Sequence, residues 1–155
     1  MQDLIDKAVS LLKAGEPIVL PTETVYGLAV DAQNEAAVKK VYQIKNRPAI
    51  NPLISHYAKI EELEKDVILD ERALKILKAF SPGPITLVLN KKPNSRISKL
   101  ATAGLETAAV RIPNKEITLK ILEKFAAPVA APSANLSTEL SPTKKEHVEK
   151  SLGKK

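Results

Sequence analysis

Residues 85–112 read ITLVLNKKPNSRISKLATAGLETAAVRI, and they decide what kind of sheet the chain can build. Ile85 to Leu89 and Thr107 to Ile112 are short apolar, β-prone runs. Between them Lys91 to Leu105 is polar loop with room for one helical turn. Parallel neighbours need a long crossover, usually a helix, and none is legible here. The sheet is therefore expected to be mixed, not purely parallel.

Outward from that stretch, helices and strands alternate. Ser81-Pro82-Gly83-Pro84 is a rigid turn feeding the Ile85 strand, and Asp70 can cap a helix with Ala73, Leu74, Leu77 and Phe80 on its buried side. Leu53 to His56 reads as a strand. Asn34 can cap a helix carrying Ala37, Val38, Val41 and Ile44, which must stop before Pro48 because the residue preceding a proline is pushed out of helical geometry. Pro17 to Leu20 and Val25 to Val30 are two strands flanking the polar Thr22-Glu23-Thr24. The first helix holds Leu4, Ile5, Ala8, Val9, Leu11 and Leu12 and ends near Gly15. Towards the C-terminus, Asn114 can cap a helix with Ile117, Ile121, Leu122 and Phe125, and Pro128 to Ala131 gives a last strand. Thr143-Lys144-Lys145-Glu146 fits a capping box. No repeat, linker or composition break interrupts residues 1–155, so one α/β domain is expected.

Composition narrows the chemistry. Without cysteine there are no disulfides, thiolate metal sites or cysteine nucleophiles, which fits a reducing cytoplasm. The two histidines, His56 and His147, have no HExxH or paired acidic motif around them, so no protein-held metal is expected. No apolar run approaches the ~20 residues of a membrane span. Lys and Arg number 24 against 18 Asp and Glu, a net +6 that favours anionic partners such as nucleotides or RNA, although much of the excess is a C-terminal lysine cluster. Only five aromatic residues are available for stacking bases. No GxxxxGK[ST], GxGxxG or GxSxG motif is present, so any triphosphate must be held by side chains.

Polar residues where strands end are natural ligand contacts. Lys45 and Arg47 lie at a helix exit, where solvated charges complementing the helix dipole are the better explanation on spacing alone. Arg111 follows Ala108-Ala109-Val110 in a strand that should be buried, and an arginine there needs an anionic partner, either a structural carboxylate or a ligand. Ser133 and Asn135 either build a turn or bind; His56 is either an ordinary strand-end histidine or part of a site.

Taken in order, PTETVYGLA, KNRPAINPLISH, SPGPITLVL, AVRIP and APSANLSTELSPT span residues 21–143, and together they resemble the YrdC/Sua5/TsaC family of threonylcarbamoyl-AMP synthases. The resemblance implies a twisted mixed sheet flanked by helices with a basic concave face. It implies a reaction of L-threonine, bicarbonate or CO2, and ATP to give L-threonylcarbamoyladenylate and pyrophosphate. That product feeds N6-threonylcarbamoyladenosine at position 37 of tRNA through separate transfer proteins. Residue by residue, Lys45 and Arg47 match the family's KxR and would contact ATP phosphates, with Asn51 nearby; Ser133, Asn135 and Ser141 would hold nucleotide, with Thr107 a further nucleotide-side candidate. Thr24, His56 and Arg111 match threonine-binding positions, Arg111 suiting the carboxylate. Mg2+ would arrive with ATP. Thr138 stands where the family commonly has glycine, and the family's usual C-terminal strand segment is expected to be lacking after Gly153. Two other functions stay open: a non-catalytic nucleotide- or RNA-binding module, and a relative acting on carbamoyl phosphate.

Overall fold

The computed structural model describes residues 2–22, 26–45 and 51–132. Along these the elements are α1 (Gln2–Lys13), β1 (Ile18–Pro21), β2 (Tyr26–Asp31), α2 (Glu35–Lys45), β3 (Ile54–His56), α3 (Ile60–Leu63), α4 (Glu71–Phe80), β4 (Leu87–Asn90), β5 (Thr107–Arg111), α5 (Glu116–Phe125) and β6 (Val129–Ala131). The strands form one sheet in the order β1-β2-β6-β3-β5-β4. Only β3 and β5 pair in parallel; β1 with β2, β2 with β6, β3 with β6 and β4 with β5 are antiparallel. The mixed sheet expected from residues 85–112 is present, and its cause is the one anticipated, since β4 and β5 are joined by loop and not by a crossover helix.

Strand periodicity sorts the sheet into two faces. Val30, Ala130, Val110 and Ala108 point to one face and join a core with Ala37, Val38, Val41 and Tyr42 of α2 and Leu77 of α4. Ala29, Val129 and Ala131 point to the other and pack with Ile5, Val9 and Leu12 of α1 and Ile121, Leu122 and Phe125 of α5. The helices keep their places because their apolar residues recur at helical spacing. Asn34 accepts a hydrogen bond from the Ala37 N–H at 3.0 Å, and Asp70 accepts from the Ala73 N–H at 2.8 Å. Each cap contributes about 1 kcal/mol. The chain leaves α1 through Gly15 in the left-handed region, φ 79°, where a side chain would also meet the Asn34 amide at 2.8 Å.

Several local expectations are corrected. Phe80, placed on the buried side of its helix, is 61% exposed, because it is the last residue of α4 and the helix's buried contacts end at Leu77. The residue at the N-cap of α5 is Lys115, extended and without a side-chain cap bond, so the helix begins one residue later than an Asn114 cap requires. Helix α3 was not legible. The capping-box segment at Thr143 lies outside the described residues.

The loop between β4 and β5 is polar in composition yet firmly packed. Ile97, Ala101 and Thr102 are buried. Its anchor is Asp66, fully buried, which accepts from the Arg96 backbone N–H at 2.8 Å, Arg96 Nε at 3.0 Å, Arg96 Nη2 at 2.8 Å and the Tyr57 hydroxyl at 2.8 Å. A carboxylate can be buried only when its lone pairs are satisfied in this way.

Candidate active site

The site grows from the register of the central strands. His56 is aligned with Arg111 across the parallel β3–β5 pair and with Val129 across the antiparallel β3–β6 pair. Both side chains therefore leave the sheet on the face shared with α1 and α5, at the C-terminal ends of their strands. Two residues back in the same rows, Ile54 is aligned with both Ala109 and Ala131. Alternation along β5 puts Thr107 on this face as well, about 13 Å from Arg111 along the strand.

The two faces are covered unequally. Helices α1 and α5 pack over Leu20, Ala29, Val129 and Ala131, on the β1-β2-β6 half. Over the β3-β5-β4 half, Ile54, Thr107 and Ala109 are only partly buried and Val88, aligned with Ala109, is 67% exposed. Among the described residues the small Ala109 lies mid-row on this less covered half, between Thr107 and the buried Arg111.

His56 is 5% exposed, and its Nδ1 lies 3.3 Å from the Val129 carbonyl oxygen. A carbonyl can only accept, so the neutral ring carries its proton on Nδ1 and keeps Nε2 as an acceptor. Burial first, and the Arg111 charge second, push the His56 pKa down to about 4, so the ring is neutral at physiological pH. Arg111 is 6% exposed, and its Nε donates to the Gly83 carbonyl at 3.0 Å. A neutral acceptor beside a fixed guanidinium can take a ligand carrying both a donor and an anion.

The nucleotide-side candidates stand apart from this pair. Lys45 ends α2, whose packing is with the opposite face of the sheet. Asn51 is just ahead of β3, and its backbone carbonyl accepts from the Tyr42 hydroxyl of α2 at 2.7 Å, which ties the end of α2 to the entry of β3. Backbone register thus gathers Asn51 and Thr107 towards the N-terminal ends of β3 and β5, away from His56 and Arg111. Thr24, Arg47, Ser133, Asn135 and Ser141 lie outside the described residues. Pro132 emerges from β6 close to Gly27, where an added Cβ would sit 3.5 Å from the Ala131 Cβ and 3.9 Å from the Pro132 carbonyl oxygen.

The model of the Sua5/YciO/YrdC family, described as telomere recombination, matches residues 10–155. The chain belongs to this family. It is 49% identical over 146 residues to a threonylcarbamoyl-AMP synthase of Bacillus subtilis, covering 93% of this chain and 42% of that protein. A threonylcarbamoyl-AMP synthase of Psychromonas ingrahamii is 38% identical, over 88% of this chain and 72% of the relative. Among solved structures, Sua5 of P. abyssi complexed with L-threonine superposes with a TM-score of 0.87 at 44% identity, over 97% of this chain and 44% of that one. The chain thus spans about two fifths of the length of the Bacillus subtilis and P. abyssi proteins. The Sua5/YciO/YrdC membership gives the alternating helices and mixed sheet a common origin.

Two contributors to the site were not singled out from the sequence. Gly83 supplies the carbonyl that holds Arg111, and the Pro-Gly-Pro turn was the available signal. Tyr57, which follows His56, donates its backbone N–H to the Arg111 carbonyl at 3.0 Å and its hydroxyl to Asp66, so the packed 91–106 loop is wired to the strand ends. No signal in composition points to that link.

Among the described residues no helix is long and apolar enough to cross a membrane, and no group of three or more His, Asp or Glu stands together.

Proposed function

We propose that the chain forms L-threonylcarbamoyladenylate from L-threonine, bicarbonate or CO2, and ATP, releasing pyrophosphate. The observation that carries this is the pairing of a neutral, buried His56 with Arg111 at the C-terminal ends of β3 and β5. The names of its curated relatives and the L-threonine complex of a structural neighbour support it.

In this reading Arg111 pairs with the threonine carboxylate, His56 Nε2 accepts from the amino acid's hydroxyl or amine, and Thr24 is a third threonine contact. The amine and bicarbonate combine to a carbamate with loss of water. A carbamate oxygen then attacks the α-phosphorus of ATP, and the pyrophosphate oxygen leaves with the bond's electron pair. No protein nucleophile is needed, so the chain's task is to hold two anions against each other and to offset developing charge. Lys45 and Arg47 take the phosphates on the basic concave face, with Asn51, Thr107, Ser133, Asn135 and Ser141 on the nucleotide. Mg2+ would arrive with ATP, carried by the triphosphate's own oxygens, where it would neutralise phosphate charge. The product supplies transfer proteins that modify tRNA in the cytoplasm.

Purified chain should release pyrophosphate from ATP only when both L-threonine and bicarbonate are present. ATP binding with no threonine-dependent release would instead establish a non-catalytic nucleotide-binding module, and steeply salt-dependent tRNA binding would establish its RNA version.

A further inference from the structure

Gly83 sits where three constraints meet. Its N–H donates to the Ile112 carbonyl at 2.8 Å, and its own carbonyl accepts from Arg111 Nε at 3.0 Å. A Cβ added at this position would lie 2.6 Å from the Phe80 carbonyl oxygen at the end of α4, a backbone atom that cannot rotate away. The turn is thus pressed between α4 and the end of β5, and only a residue without a side chain lets it approach this closely. The direction of the Gly83 carbonyl depends on that residue's ψ. Pro84, which follows it and is itself exposed, disfavours the helical range of ψ for the residue before it. A freely jointed glycine is thereby confined while its neighbours stay on the surface.

We infer that Gly83, held by Pro84, is a positioning residue for the amino-acid subsite, acting through Arg111. Nε is the hinge of the guanidinium plane, so a carbonyl fixed against it sets the plane's direction and therefore the angle at which a bidentate carboxylate can dock. Lysine at 111 keeps the charge but has no Nε–H for the clamp. The inference rests on Arg111 serving the threonine carboxylate as proposed above.

The test measures KM for L-threonine and for ATP, and L-threonine affinity by calorimetry, on the whole chain. Wild-type protein that binds no L-threonine ends the proposed function, and this inference with it, before any variant is made. Given wild-type binding, Gly83→Ala should raise the threonine KM about tenfold while the ATP KM stays within about twofold. In the Arg111→Lys background, Gly83→Ala should cost less than about twofold further, because the group it acts through is gone. Equal losses for both substrates, or losses that add fully in the double variant, would show a merely structural glycine. Should Gly83→Ala not fold, Pro84→Ala removes an exposed ring and with it the restriction on the ψ of Gly83; it should raise the threonine KM about threefold. An unchanged threonine KM in folded Pro84→Ala overturns the inference.

Discussion

His56 and Arg111, 55 positions apart in the chain, are register partners across the one parallel strand pair described in the sheet, and each is buried to 5–6% exposure. Burial first, and the Arg111 charge second, lower the histidine's pKa, so that a neutral acceptor lies beside a permanent cation.

This depressed pKa makes stability acid-sensitive. The His56 pKa falls to about 4 in the folded chain from an ordinary value of 6.5, so the unfolded chain binds more protons between those values. Stability should therefore be full above about pH 6.5, decline as pH falls and level off below about pH 4, with this residue accounting for on the order of 3 kcal/mol. Urea unfolding at pH 7, 5.5 and 4 measures it. His56→Gln should flatten this acid limb; an unchanged limb in that variant would assign it to other groups.

The two subsites should fail differently. Arg47→Ala removes a cation assigned to the transferring phosphates, and kcat should fall roughly 100-fold or more with threonine binding retained. Arg111→Lys should instead raise the threonine KM about tenfold or more and leave the ATP KM within about twofold. Steady-state kinetics with each substrate varied separates the cases; a joint rise in both KM values for Arg111→Lys would remove it from the amino-acid subsite.

The buried carboxylate of Asp66 is the expected weak point of the scaffold. Asp66→Ala leaves the Tyr57 hydroxyl without its acceptor and Arg96 with only its Glu62 and Ala126 contacts, and loss of one partner from a buried pair typically costs about 3–5 kcal/mol. For a chain of this size the melting temperature should fall by roughly 6–20 °C. Calorimetry checks this, and a drop of less than about 2 °C would show that the loop between β4 and β5 is held by its apolar contacts alone.

The elements were largely legible because their signals are local. Asp70 and Asn34 cap the helices they were expected to cap, and the apolar runs at Pro17 to Leu20, Leu53 to His56 and Thr107 to Ile112 overlap observed strands. Lys115 at the α5 cap, exposed Phe80 and helix α3 were missed, since each depends on what the rest of the fold places against it.

The candidate site divides in the same way. The residue types of the site, and the string of motifs that fixes the family, are written in the chain order alone. That His56 faces Arg111, that Thr107 shares their face, and that Lys45 is rooted in the layer behind it, are products of register and of which helix covers which half of the sheet. Periodicity tells which residues of one strand share a face; only strand pairing, a contact between segments distant in sequence, tells which residues of different strands meet. The Gly83 carbonyl and the Asp66 anchor belong to this second kind, because a backbone oxygen and a buried ion pair have no pattern that a sequence can display.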